Sequence, residues 1–297
     1  MMQFLFDTVF RAADLGLIAV ALSAVYSLIR FPNVALVQYA VVGAFLGMWL
    51  QKMGMPLAVA ITLSSLVVGG LAQLFSVIIF ERLLRLDSAI ALIGSLALSM
   101  ILSAIFLLGF GPAAQRYKVP VVPAMRMLDV RVTEMQLITG AITITALLAF
   151  AFLLFRTPLG REMRAVSTNP VLSAATGVDN RFVTGIVVFL SGVLAALGGS
   201  LLALRGSVSI DMGTNMLLPV FAAAILGGLG NAFGAVAGAL IIAAAETLIT
   251  NVNFGFLAGQ DFFYLPASYA PAASFALLVA ILLVRPKGIF VSEVSRV

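Results

Sequence analysis

Long uncharged runs alternate along the chain with short clusters of charged and polar residues. Six of these runs cover residues 31–51, 53–80, 88–115, 135–155, 182–204 and 262–284. Each run can supply about 20 residues, the length that a helix needs to cross about 30 Å of hydrocarbon. Strands of a membrane β-barrel would be about 10 residues long with alternating polarity, and the runs show no such alternation. The pattern therefore predicts an all-α, polytopic helical membrane protein.

The charged clusters between the runs set the limits of the predicted spans. The first six spans are predicted at about residues 14–30, 33–51, 56–80, 88–110, 135–155 and 182–204. Residues 212–260 then carry a single charge, Glu246, and are interrupted by glycines within 226–234. Because glycine weakens a helix, we expect a short or discontinuous helix at 216–228, a full helix at 232–251 and a last span at 268–284. The expected architecture is about 8–10 transmembrane segments with a broken helix near 227–231, in a single domain over residues 1–297.

The first residues have an amphipathic pattern and lack the basic region and cleavage site of a signal peptide. Apolar residues between Phe4 and Phe10 are spaced around Asp7, Arg11 and Asp14, which predicts a short surface helix before the first span. Placing the basic segment 156–181 in the cytosol puts the N-terminus on the outer side of the membrane.

Composition agrees with the membrane prediction and narrows the chemistry. The chain is 62% apolar and 10% charged, whereas a soluble domain carries about 25% charged residues. The net charge of +5 indicates loop arginines near lipid headgroups rather than a nucleic-acid surface. The chain has no cysteine and no histidine, so thiolate nucleophiles, the most common general base and the most common metal ligand are excluded. It also lacks a Gly-x-x-x-x-Gly-Lys-Ser/Thr loop, so we expect no cofactor or nucleotide site and no enzymatic activity in this chain.

One polar segment, RTPLGREMRAVSTNPVLSAATGVDNRFV, stands out between two apolar runs. Its part GREMRAV favours a helix, and TNPVLSAATG favours a second one. Thr168 or Asn169 can cap the second helix, Pro170 suits its first position, and Gly177 suits the position that ends it. This helix carries the small residues Ser173, Ala174 and Ala175. They would make it a knob that enters a groove on a cytosolic partner. A solvated turn between two spans explains the same residues equally well.

The polar segment resembles the cytoplasmic coupling segment of the permeases of branched-chain amino acid ABC transporters, the LivH-type subunits. The matching positions are Gly160, Arg161, Arg164, Ala165, Ala174, Ala175, Gly177, Val178 and Asp179. Downstream, the family's glycine pattern followed by an acid within the helix is matched by Gly227, Gly228, Gly230, Asn231, Gly234, Ala235, Gly238 and Glu246. The closing LVRPKGIF is similar to the family's C-terminal end. The similarity covers nearly the whole chain and is strongest from 156 to 290.

The resemblance implies the transmembrane permease subunit of an ATP-driven importer in the bacterial inner membrane, for branched-chain amino acids or a related small solute. It implies three kinds of protein partner besides membrane lipid. Two cytosolic ATPase subunits would bind ATP and magnesium, and a periplasmic or surface solute-binding protein would deliver the cargo. A LivM-like second permease or a second copy of this chain would complete the pathway. The residues implied in ATPase coupling are Gly160, Arg161, Arg164, Asn169, Ala174, Ala175, Gly177 and Asp179.

The candidates for the translocation path or gate are Asn33, Gln38, Gly227, Gly228, Gly230, Asn231 and Glu246. Glu246 is the only ionisable residue well inside a predicted span, so we expect it to be buried with a polar partner from its own helix end or a facing span. It would either line the path or serve structure alone. Gly230, Gly234 and Gly238 recur every four residues, a spacing that also fits plain helix packing.

Two departures from the family pattern leave the cargo open. The second span lacks the His-Gly-acid cluster that the family shows there, and has Leu36, Val37 and Gln38 instead. Pro219 stands where many relatives have lysine. Urea, short amides and aromatic or other carboxylates are therefore alternative cargoes. A stand-alone secondary transporter or channel is an alternative of a different class, but such a carrier usually needs several charged groups in the membrane.

Overall fold

The computed structural model describes residues 2–119, 125–127, 130–252, 264–285 and 288–289. The helices in these residues are α1 (Met2–Ile29), α2 (Ala35–Lys52), α3 (Leu57–Phe75), α4 (Glu81–Leu84), α5 (Ser88–Phe110), α6 (Glu134–Arg156), α7 (Pro158–Thr168), α8 (Pro170–Ala175), α9 (Asn180–Arg205), α10 (Asp211–Gly227), α11 (Ala232–Asn251) and α12 (Ala270–Val284). A π-helical segment, Ser76–Phe80, joins α3 to α4, and a 3-10 turn, Ala267–Tyr269, precedes α12. Strands β1 (Met125–Met127) and β2 (Val130–Val132) pair antiparallel in the connection between α5 and α6.

The all-α, polytopic prediction is confirmed. Six helices in the described residues are long and apolar enough to cross a membrane: Met2–Ile29, Leu57–Leu84, Ser88–Phe110, Glu134–Arg156, Asn180–Arg205 and Ala232–Asn251. Two further apolar helices, Asp211–Gly227 and Ala270–Val284, are shorter. Apart from the start of α1, the helix limits lie within a few residues of those predicted from the uncharged runs, because charged and turn residues end most of the helices.

The N-terminal segment differs from its prediction. No separate surface helix precedes the first span, since residues from Met2 to Ile29 form one continuous helix. Thr8 and Asp14 are buried on it, and the residues from Leu15 to Val25 are buried as well. Arg11 and Asp14 pair with residues of other helices, Glu246 and Arg205, whereas the apolar residues Leu5, Phe6 and Val9 remain exposed.

The centre of the bundle is built on α1 and α9. In their most apolar stretches, 72% of α1 and 67% of α9 is buried, against 28% of α5 and 17% of α6. α1 packs against α9 on one side and α11 on the other, and α9 also contacts α2 and α3. α1 and α11 run antiparallel, because Arg11 pairs with Glu246 while Ser23 contacts Gly230. The largely uncovered α5 and α6 are the outermost long helices.

The predicted helix break is confirmed between α10 and α11, where Gly228 and Gly230 have φ values of +94° and +92°. The predicted stripe of three glycines on one helix is wrong in part. Gly230 lies in the turn and not on α11. The close contact instead joins Gly227 of α10 to Gly234 of α11, and a Cβ on Gly238 would overlap the carbonyl oxygen of Ala223. These glycines allow the two backbones to touch.

Candidate functional site

Two polar regions lie at opposite ends of α1. At its C-terminal end, the Arg30 guanidinium donates a hydrogen bond of 2.9 Å to the Ser167 carbonyl in the polar segment. At its N-terminal end, Arg11 and Asp14 line a cavity together with residues of α9, α10 and α12. The predicted coupling segment and this cavity are therefore on opposite faces of the bundle.

The polar segment folds as the two predicted helices, α7 and α8. Asn169 caps α8 by accepting hydrogen bonds from the backbone N–H groups of Val171 and Leu172. Pro170 is the first residue of α8, and Gly177 has a φ of +88° just after its end. Asp179 caps α9 in the same way, through two backbone N–H groups. These assignments of helix caps and ends are confirmed.

Part of the predicted coupling set holds the segment in place. Gly160 is buried, and a Cβ there would overlap the carbonyl oxygen of Leu154 at the end of α6. Arg164 donates a 2.5 Å hydrogen bond to that same carbonyl. α7 therefore folds back tightly onto the last turn of α6. Arg161 is exposed and is free to meet a partner.

α8 presents an apolar surface with one side chain turned inward. The exposed residues, here called the coupling knob, are Val171, Leu172, Ala174 and Ala175. Val171 and Leu172, at 79% and 60% exposure, were missed by the sequence analysis, although their apolar character beside Pro170 was a usable signal. Ser173 was expected on the knob, but it is buried and donates to the Asn180 side-chain oxygen over 2.8 Å. Ser173 therefore fixes the knob to the start of α9.

The turn between α10 and α11 packs beside the C-terminal end of α1. The Gly230 backbone N–H donates to the Ser23 hydroxyl over 3.1 Å. Asn231 caps α11 by accepting from the backbone N–H groups of Phe233 and Gly234. Gly230 and Asn231 also border a cavity that reaches Met163 and Arg164 of α7. The predicted gate residues Gly227, Gly228, Gly230 and Asn231 thus lie next to the coupling segment, and their gating role stays a prediction.

Asn33 and Gln38, the other predicted path residues, are separate from both regions. Asn33 is 4% exposed and Gln38 is 3% exposed. Gln38 packs against Gly213 of α10, where a side chain would collide with its amide oxygen. Neither residue borders any of the cavities described here. Both are packed inside the bundle, so a role in the path would require the surrounding helices to separate.

Glu246 has the partner that its burial requires, and that partner is a charge. Its side chain is 2% exposed, and the Arg11 Nε donates to its Oε2 over 2.7 Å. Ser274 of α12 donates to its Oε1 over 2.5 Å. The expectation that Glu246 is buried and has a polar partner is confirmed, and both partners lie on facing helices. Arg11 was not predicted as the partner, because the amphipathic pattern placed this residue on a separate surface helix.

A second buried ion pair lies one turn away and shows that Glu246 is not the only ionisable residue within the helices. Asp14 of α1 pairs with Arg205 at the end of α9. The Arg205 guanidinium also lies 5.7 Å from the centroid of the Phe10 ring. The side chains of Asp14 and Arg205 are largely buried, with exposed fractions of 8% and 13%. Together the two pairs tie α1 to α9 and α11 at the same end of the bundle.

The polar cavity at this end has a volume of about 450 Å³, within the usual range for small-molecule sites. Its charged lining residues are Arg11, Asp14 and Arg205, and its apolar lining residues include Leu202, Met212 and Met216. Among the described residues, groups of histidine, cysteine, aspartate or glutamate that could hold a metal ion do not occur. The cavity therefore combines charged hydrogen-bonding groups with a small apolar wall.

The chain resembles curated permeases of bacteria and archaea. It is 28% identical over 159 residues to the high-affinity branched-chain amino acid transport system permease protein LivH of Salmonella typhimurium, covering 53% of this chain and 48% of that protein. The chain thus spans about half the length of that relative. It is 29% identical over 287 residues to a branched-chain amino acid transport permease protein LivH of Methanocaldococcus jannaschii, covering 93% and 88% of the two chains.

A solved structure and a family model extend the comparison to the whole chain. An inward-facing metal-chelate-type ABC transporter has a similar fold, with a TM-score of 0.52, 19% sequence identity, and coverage of 94% of this chain and 85% of that one. The model of the branched-chain amino acid transport system permease component matches residues 4–285. The chain therefore belongs to the family of permease components of branched-chain amino acid transport systems.

Proposed function

We propose that this chain is the transmembrane permease subunit of an ATP-driven importer for branched-chain amino acids in the bacterial inner membrane. The ATPase is a separate chain that binds ATP and magnesium, and two copies act on the cytosolic side. A solute-binding protein delivers the cargo on the outer side, and a LivM-like second permease or a second copy of this chain completes the pathway. Family membership and the names of the relatives support this assignment.

The observation that carries the proposal is the geometry of the coupling knob. Val171, Leu172, Ala174 and Ala175 form an exposed apolar surface on a short helix that is anchored on both sides. Ser173 joins it to α9, while Arg164 joins α7 to α6. An exposed apolar patch marks a contact with a protein or a membrane, and membership of the permease family supports a contact with an ATPase subunit. A partner that moves the knob therefore moves the ends of two long helices.

The mechanism follows from this anchoring. Closure of the ATPase subunits displaces the knob, and α6 and α9 follow because their connections to it are short. The α10–α11 turn adjoins the same cavity as α7, so the hairpin responds to the same displacement. The bundle then changes between outward and inward access around the cargo. This chain performs no covalent chemistry.

The test is ATP-dependent uptake of leucine by the assembled complex in proteoliposomes, with Ala174→Arg or Ala175→Arg in the knob. A long charged side chain at the contact would block docking, so uptake should fall by about tenfold or more, as for an interface hot spot. ATP hydrolysis should lose its dependence on cargo. Ala113→Arg is the matched control, since Ala113 is exposed in the connection after α5, at the opposite end of the bundle.

Two results would contradict the proposal. Normal uptake in both knob variants would remove the coupling role from α8. Uptake by this chain without ATP or ATPase subunits would favour the stand-alone secondary transporter. That alternative has a specific observation in its favour, because the bundle contains two buried ion pairs and not the single acid expected from sequence. Carriers of that class depend on such groups.

A further inference from the structure

We propose that the polar cavity at the N-terminal end of α1 is a recognition site for a zwitterionic amino acid with an aliphatic side chain. Arg11 binds the carboxylate, Asp14 receives the ammonium group, and Leu202, Met212 and Met216 contact the aliphatic part. The inference rests on the proposed function, and it names the residues that select the cargo.

Arg11 is prepared to bind a carboxylate. Its Nε is engaged by Glu246 at 2.7 Å, and within the described residues its two terminal amino groups have no acceptor. The side chain is 30% exposed and borders the cavity. When Nε of a guanidinium is already bonded, its two terminal amino groups can still donate two parallel hydrogen bonds to the oxygens of one carboxylate. Glu246 and Ser274 thus act behind Arg11 as positioning residues.

The charge of the cavity selects for the same class of cargo. Among the described residues, its lining contains two arginines, Arg11 and Arg205, and one acid, Asp14. Arg205 pairs with Oδ1 of Asp14, and its Nη2 also donates to the Phe10 carbonyl over 3.3 Å. Arg11 is therefore the cation that remains for a carboxylate. The second carboxylate oxygen of Asp14 can still accept a hydrogen bond from an ammonium group. Asp14 lies one helical turn from Arg11, on the same face of α1, so both charged ends of one amino acid are within reach.

The apolar wall of the cavity would contact the aliphatic side chain of the amino acid. Leu202 comes from α9, and Met212 and Met216 come from α10. Methionine adapts its shape to irregular aliphatic groups, so this wall accepts valine, leucine and isoleucine side chains alike. Urea lacks both a carboxylate and an aliphatic chain, and short amides lack the carboxylate, so neither provides the charged partner for Arg11.

The decisive variant is Arg11→Gln/Glu246→Gln, which removes both charges of the pair. Arg11→Gln alone would leave Glu246 buried without its cation and could unfold the protein. Leucine uptake by the reconstituted complex should fall about tenfold to a hundredfold in the double variant, the effect of losing a charge-assisted hydrogen bond. Glu246→Gln alone should reduce uptake by less than about threefold, since Arg11 stays in place and glutamine still accepts its hydrogen bond. The control is Arg116→Gln, an exposed arginine at the same end that does not line the cavity.

A second measurement uses the full-length purified chain in nanodiscs, without the solute-binding protein. Thermal stabilisation is measured with L-leucine, 4-methylpentanoate, 3-methylbutylamine and urea at equal concentrations. Leucine should stabilise most, 4-methylpentanoate next, and the amine and urea least, and the double variant should lose the response to the two carboxylates. Equal stabilisation by urea, or an unchanged response in the double variant, would overturn the assignment.

The two proposals fail in different ways. If the unaltered complex imports no leucine with ATP, the proposed function is wrong. If it imports leucine and the double variant imports it within about twofold of the same rate, far from the loss expected for a charged contact, the cavity is not the recognition site. Basal ATP hydrolysis that equals the unaltered level in the double variant excludes a failure of assembly.

Discussion

The Arg11–Glu246 pair should contribute to folding in a way that depends strongly on which partner is removed. Glu246 is 2% exposed, while Arg11 is 30% exposed and faces the cavity. Removing Arg11 leaves a buried carboxylate with Ser274 as its remaining partner in the described structure. Removing the charge of Glu246 leaves an arginine that water can reach. The two single substitutions are therefore expected to differ, although they break the same ion pair.

The magnitudes follow from these burials. An unpaired buried charge costs about 3–5 kcal/mol, so Arg11→Gln should destabilise the chain by that amount. Glu246→Gln loses the ion pair but keeps a hydrogen bond from the charged guanidinium to an amide oxygen, at a cost of about 1–2 kcal/mol. The double variant places two amides side by side, and its cost should be about 1 kcal/mol. The coupling energy of the cycle is then about 3–6 kcal/mol, similar to the effect of Arg11→Gln.

The assay is equilibrium unfolding of the four purified proteins in mixed detergent micelles, followed by loss of helical circular dichroism. Equal destabilisation by the two single substitutions would show that burial does not distinguish the partners. A double variant as unstable as the sum of the singles would show that the two side chains do not interact. Either outcome would refute the reasoning from burial and geometry.

Two further predictions concern the helix ends. Gly228→Leu should reduce leucine uptake more than stability, because the backbone conformation of Gly228, with φ +94° and ψ +109°, costs a residue with a side chain about 1–3 kcal/mol. Gly238→Leu should prevent folding, because its side chain would collide with Ala223. Melting temperature and uptake of both variants check this. Hydrogen bonds from the Ala89 backbone and then the Ser88 hydroxyl lower the pKa of Asp87 below its ordinary 3.8. Its stabilising effect is thus present above that pH and lost as pH falls through the folded-state value, so the difference in unfolding midpoint between the unaltered chain and Asp87→Ala should shrink on acidification, and a constant difference would contradict it.

The sequence predicts most helix limits correctly because charge and hydropathy are local properties. Asn169, Pro170 and Gly177 mark α8 through rules that involve only neighbouring residues, and the structure agrees. The partners of Glu246 and Asp14 could not be predicted in this way. Arg11 is 235 positions from Glu246, and helix periodicity carries no information about which distant helix will lie opposite. The inward orientation of Ser173 was missed for the same reason, since it depends on α9.

The continuity of α1 has a mechanical consequence. Its 28 residues form a rod about 42 Å long at about 1.5 Å per residue. Arg30, just beyond one end, is bonded to the polar segment, and near the other end Arg11 and Asp14 form part of the cavity wall. If ATPase closure moves Ser167 along the axis of α1, this continuous helix would transmit the displacement towards Arg11. The ATPase contact and the proposed cargo contact at Arg11 would thus be linked through one helix, α1. Release of the cargo would then need no second connection between them.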